Sequence, residues 1–210
     1  MKNFKYLLYL IIFIGFSIAR AGAYEDFFKA VEFDDPGTIN RLLRAGFDVN
    51  SPSPKGQYPL FIALQSGSNR AVEALIAAPD LKFDRPNENG ETPLMMAALK
   101  GADRWALRLI EMGAQVNREG WTPLHYAASG TSTALVRLLL DRGADVDAPS
   151  PNGTTPLMMA AGYGSEEAAR LLLERKASAG LRNQLDWSAA DFARRAGRES
   201  LAARLEAAGR

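Results

Sequence analysis

Thr92–Ala98 reads TPLMMAA, and the same seven residues return at Thr155–Ala161. A single hydrophobic core accepts any apolar residues of suitable volume, so an identical phrase 63 residues away points to repetition rather than to packing. Two looser copies stand beside them, YPLFIAL at 58–64 and TPLHYAA at 122–128. Their prolines, Pro59, Pro93, Pro123 and Pro156, lie 34, 30 and 33 residues apart, and 33 more residues reach Ala189 inside WSAADFA. A period near 33 marks a solenoid of stacked units.

Each unit has a local physical reading. A Thr before Pro opens a helix: the hydroxyl caps a free N–H, and Pro occupies the first helical position, where no donor is needed. Thr92, Pro93, Thr122, Pro123, Thr155 and Pro156 are these structural positions. The first helix is short and Ala-rich and ends near Gly67, Gly101 or Gly164. A second helix follows, with Leu and Val at helical spacing in ALVRLLLDRG and EAARLLLERK, and Gly46, Gly113 and Gly143 close such helices. An extended finger (FDVNSPSPKGQ, QVNREGW, DVDAPSPNGT) then turns over. Lys176 stands where the fifth unit wants that closing Gly, which costs on the order of 1 kcal/mol if the residue is left-handed.

The stretch Gly120–Asp147, GWTPLHYAASGTSTALVRLLLDRGADVD, strongly resembles the ankyrin repeat family. The resemblance implies an all-α repeat solenoid, an ankyrin array of about six helix-turn-helix units with β-hairpin-like fingers. The units are 24–50 (an N-terminal cap without Thr-Pro), 51–84, 85–117, 118–147, 148–180 and 181–210 (a closing cap). From the last Asn or Asp of a unit to the finger Gly is six residues at Asn50–Gly56, Asp84–Gly90 and Asp147–Gly153, but three at Asn117–Gly120. One short finger therefore accounts for the missing residues and leaves a notch in the row.

Residues 1–23 stand outside this array. MKNFK supplies two lysines, YLLYLIIFIGFSI is apolar and shorter than a bilayer span, and ARAGA offers small residues for cleavage. That order predicts a signal peptide cut after Ala23, with Ala21 as the alternative, and a periplasmic protein, secretion being the other destination. Cleavage leaves 187 residues with 22 basic and 24 acidic side chains, so neither nucleic acid nor a membrane attracts the mature chain. With no Cys, disulfides cannot hold the fold.

The chain offers little for catalysis. Its one His, His125, sits in the repeat motif, and the resemblance implies that it ties neighbouring units by hydrogen bonds. Nucleophile-elbow and phosphate-loop motifs are absent, and one His without Cys makes no zinc site. An enzyme here would need carboxylates such as Asp186, Asp191 and Glu199. The expectation is a non-enzymatic monomer without cofactor or metal that binds a protein partner.

By the resemblance, partners bind a concave face of fingers and first helices. Register places Gln57, Glu91, Trp121, Thr154 and Trp187 after the fingers, with Gln65, Ser66, Leu99, Lys100, Ser129, Gly162 and Tyr163 near the first-helix ends. Trp121 either anchors a partner beside the notch or plugs it, and Trp187 either anchors or covers the open end. Met96 and Met159 lie beside the groove, whereas Met95, Met158 and Trp105 read as packing. Pro52-Ser53-Pro54 and Pro149-Ser150-Pro151 read as stiffened turns. Adaptor or protective binder is the primary reading, and a stoichiometric immunity-type inhibitor of an envelope enzyme the alternative.

Overall fold

A computed structural model describes residues 22–210. The segment carrying the expected signal peptide lies almost wholly outside them. Twelve helices form among the described residues: α1 (22–32), α2 (Pro36–Arg44), α3 (Pro59–Ser66), α4 (Asn69–Ile76), α5 (Pro93–Leu99), α6 (Asp103–Glu111), α7 (Pro123–Ser129), α8 (Thr133–Asp141), α9 (Pro156–Gly162), α10 (Glu166–Glu174), α11 (Ala189–Arg195) and α12 (Glu199–Ala208). They group into two compact units, one ending at Lys82 and the other running Phe83–Arg210. None is long and apolar enough to cross a membrane.

The Thr-Pro motif acts twice at each helix start. The Thr92 hydroxyl accepts the Met95 N–H at 3.3 Å, while the Thr92 N–H donates to the Met95 sulfur at 3.3 Å. Thr155 and Met158 repeat that exchange. In the last repeat Ser188 and Asp191 do the same with a carboxylate. Both ends of the first turn are thereby satisfied without water. Met95 and Met158, which stand in place of the motif His, are packing residues with a hydrogen-bonding sulfur.

In the second unit the first helices pack in sequence, α5 on α7, α7 on α9 and α9 on α11, and each also packs on its own second helix. The helices approach closely because the contact residues are small: Ala97, Ala98, Ala127, Ala128, Ala160, Ala161 and Ala193 are all buried. Gly164 carries this furthest. It has no left-handed backbone; instead a Cβ there would stand 1.9 Å from the Ala128 carbonyl oxygen, so only Gly lets these two chain segments touch. The second-helix ends behave as the sequence implies. Gly46, Gly113 and Gly143 are left-handed, and Lys176 adopts φ 72° in the place of the fourth such Gly.

Two devices recur that fasten the repeats. The Asn or Asp ending each unit accepts a backbone N–H from the next turn: Asn50 from Lys82, Asp84 from Gln115, Asn117 from Asp145 and Asp147 from Ser178. Each long finger is organised by Ser53, Asn87, Ser150 or Asn183, whose side-chain oxygen accepts the N–H four residues on while the backbones pair across. No strand forms among the described residues, so the fingers are tight turns rather than β-hairpins. A long finger brings together one such pair of backbone bonds, too few for a strand ladder. The short finger at Asn117–Gly120 lacks the organising residue altogether.

Candidate functional site

Asn87 and Glu91 fix Tyr126, which lines a groove on the second unit. The Tyr126 hydroxyl donates to Glu91 Oε1 at 2.9 Å, and Asn87 Nδ2 donates to Glu91 Oε2 at 2.9 Å. The finger of the third repeat is thus tied to the first helix of the fourth. Burial, reinforced by the carboxylate, pushes the Tyr126 phenol well above its ordinary value, so it stays a donor at all physiological pH. Tyr126 then lines an open groove of about 250 Å³ with Leu99, Trp121, His125, Ser129 and Met159. The lining is mostly apolar. Tyr126 was absent from the sequence expectations, although it occupies the same register position as Met96 and Met159.

His125 forms the groove floor and is fully buried. Thr122 N–H donates to Nδ1 at 3.1 Å, and Nε2 lies 2.9 Å from the Thr154 carbonyl oxygen of the next repeat. An amide must donate and a carbonyl must accept, so the ring is the neutral tautomer with its proton on Nε2. Burial holds its pKa below the ordinary value of 6.5. With both nitrogens engaged, it has no free atom for proton transfer. The expected tie between units is what the geometry contains. Trp121 stands over this floor, half-buried, its ring edge-on to His125 at 5.2 Å and 76°.

The other sequence-derived positions sort by exposure. Leu99, Trp121 and Ser129 come together in the groove; Lys100 and Tyr163 are exposed at the ends of α5 and α9, Tyr163 at 66%. Thr154 is withdrawn from the candidate surface. It is 2% exposed, covered by His125 on its carbonyl and by Asn183 Nδ2 on its hydroxyl. Gly162 faces the Phe192 ring, which a Cβ would meet at 3.1 Å. Met96 is buried, leaving Met159 as the Met that reaches the groove. Trp187 lies beneath the Arg195 guanidinium, 4.0 Å from the ring centroid. Gln57, Gln65 and Ser66 belong to the first unit; the two helix-end residues are exposed and Gln57 is half-buried in its finger.

Of the carboxylates considered for chemistry, Asp186 and Asp191 have structural roles. Asp186 adopts φ 60° in the finger-glycine position. Asp191 is held below the usual carboxylate range first by Ser188, then by Arg182 and Arg194, which makes it a poor general acid. Glu199 lies exposed in the first turn of α12. Among the described residues no group of three or more His, Cys, Asp or Glu side chains is placed to hold a metal.

A family model described as ankyrin repeats (3 copies) matches residues 27–119 and 106–184. The chain belongs to the ankyrin repeat family. It is 32% identical over 143 residues to the mouse ankyrin repeat and SAM domain-containing protein 6, covering 66% of this chain and 15% of that one. It is 32% identical over 121 residues to human neurogenic locus notch homolog protein 2, covering 56% and 5%. The human transient receptor potential cation channel subfamily A member 1 matches at 30% over 110 residues, covering 50% and 10%. The chain thus spans a small part of these long relatives. A solved chain fits over far more of its length, with TM-score 0.73, 25% identity and coverage of 87% of this chain and 97% of that one. It comes from the Bd0816 predatory endopeptidase of Bdellovibrio bacteriovorus in complex with immunity protein Bd3460. An array of this family is a protein–protein interaction module.

Proposed function

We propose that this protein is an exported, non-enzymatic inhibitor that seats its groove face on a peptidase of the bacterial envelope and blocks it. The observation that carries this reading is the two-way coverage of 87% and 97% with a chain from a peptidase–immunity protein complex, where the three long relatives named above share only a segment. We take this chain as the counterpart of the immunity protein. The site agrees: an open apolar groove with aromatic walls suits a protruding partner residue, and its one His has no free nitrogen. Export rests on the basic, apolar and small-residue order of residues 1–23.

Purified mature chain, added to the envelope endopeptidases of its own organism, tests this. The hydrolysis rate of one of them falls linearly with added chain and reaches its floor near one-to-one. Binding without loss of rate favours the scaffold reading instead, and no binding to any of them contradicts the proposal. N-terminal sequencing of protein from fractionated cells tests export. A periplasmic chain beginning at Gly22 or Tyr24 supports it; a cytoplasmic chain retaining Met1 overturns it.

A further inference from the structure

Two tryptophans follow a finger in the second unit, and the chain treats them differently. Eight residues after Trp187 comes Arg195, whose guanidinium lies over the indole at 4.0 Å. Eight residues after Trp121 comes Ser129, and both line the open groove. In both places a second ring meets the indole edge-on, but from a different register position. Phe192 meets the Trp187 ring edge-on at 5.8 Å and 78°, and Tyr126 holds the register position of Phe192, while His125 meets Trp121 edge-on. The last repeat fills its aromatic platform with its own arginine. In the fourth repeat no arginine among the described residues stacks on Trp121, which is half-buried beside the open groove.

Carboxylates lie near that platform, and one cation, Lys100, is exposed next to Leu99 of its lining. Glu91 adjoins the groove through Tyr126 and is also held by Asn87, one hydrogen bond to each carboxylate oxygen, and each oxygen keeps a further acceptor site. Glu88 and Glu119 are exposed on the two fingers beside it. Arg118 of the short finger is turned back toward Asp84 at 3.8 Å and Gln115 at 3.4 Å. A planar, weakly hydrated guanidinium is the group that both stacks on an indole face and pairs with a carboxylate.

We propose that this groove receives an arginine side chain of the partner protein, in the place over Trp121 that Arg195 takes over Trp187. The stem lies along Leu99 and Met159, and the guanidinium faces Glu91. This deepens the reading of the groove face as a protein-binding surface. Its test uses a small molecule, so it stands or falls whether or not a peptidase is the partner.

Nα-acetyl-arginine methylamide and its uncharged norleucine counterpart are titrated into the mature chain, with the Trp121 indole N–H followed by NMR and assigned through Trp121→Phe. The arginine derivative is expected to shift that signal and to bind about threefold or more tightly than the norleucine derivative. Glu91→Gln removes the preference. Ser129→Arg, which supplies the missing arginine internally, keeps its circular-dichroism melting curve and no longer responds to the derivative. Equal or tighter binding of the norleucine derivative overturns the proposal, as does an unmoved Trp121 signal or a preference that survives Glu91→Gln.

Discussion

At position 84 the chain places Asp where the units before and after it end in Asn50 and Asn117. Those asparagines accept a backbone N–H and also donate, Asn50 Nδ2 to the Asp80 carbonyl at 2.9 Å and Asn117 Nδ2 to the Gly143 carbonyl at 2.7 Å. Asp84 cannot donate, and its Oδ1 is buried without a hydrogen-bond partner. Burial raises its pKa, so its folded carboxyl holds a proton more firmly than the unfolded one. The resulting penalty is absent below the ordinary value of 3.8 and grows as pH rises through the folded value. Asp84→Asn should therefore raise stability at pH 7 by about 1–2 kcal/mol, measured by urea unfolding, with the gain shrinking in acid. His125 pulls the other way. Its pKa is lowered, so its contribution is intact above 6.5 and is lost as pH falls below that value toward the folded one. His125→Met copies the neighbouring repeats but gives up the bond to Thr154. Stability should drop by about 1 kcal/mol at pH 7 and then fall less steeply than wild type between pH 7 and 5. An unchanged slope would show that His125 does not carry the acid sensitivity.

At the scale of one helix end, Lys176 is the test of backbone cost. Its φ of 72° is normal for Gly and unfavourable for a residue with a Cβ. Lys176→Gly should raise the unfolding free energy by roughly 0.5–1 kcal/mol, and a loss of stability would mean the lysine side chain supplies a compensating contact.

The helices and their order were legible because Thr-Pro starts, Leu periodicity and closing Gly are local signals that tertiary contacts reinforced. His125 was legible for the same reason. The fastening residues were visible only as rulers: Asn50, Asp84, Asn117 and Asp147 recur at fixed places, but what they bind is a turn about thirty residues on. The finger organisers Ser53, Asn87, Ser150 and Asn183 share a four-residue offset from the fingers' closing positions, yet Ser and Asn are common enough in turns to pass unnoticed. Thr154 shows where register fails. It shares its position with Glu91 and Trp121, but the neighbouring repeats cover it with His125 and Asn183. Burial at a repeat junction depends on both neighbours, and one unit's sequence does not contain them.

Across the second unit, stability is a sum over neighbours, and the closing repeat covers the last one. Ala189, Ala190, Ala193, Leu201 and Leu205 are buried there, and α11 packs on α9. Deleting Leu185 onward should expose Leu171 and Leu172 and lower the melting temperature with loss of solubility. A truncated chain as soluble and heat-resistant as the parent would contradict the capping role. The central claim is that the groove face blocks an enzyme, and it is tested most directly at Trp121. The inhibition constant and the melting temperature are measured together for Trp121→Ala, with Arg170→Ala, an exposed change on α10, as the control. The account predicts inhibition weakened by about 2 kcal/mol, roughly thirtyfold, with little change in melting, and a control that behaves as wild type. Melting that falls while inhibition per folded molecule stays unchanged would make Trp121 a plug for the notch and contradict the account.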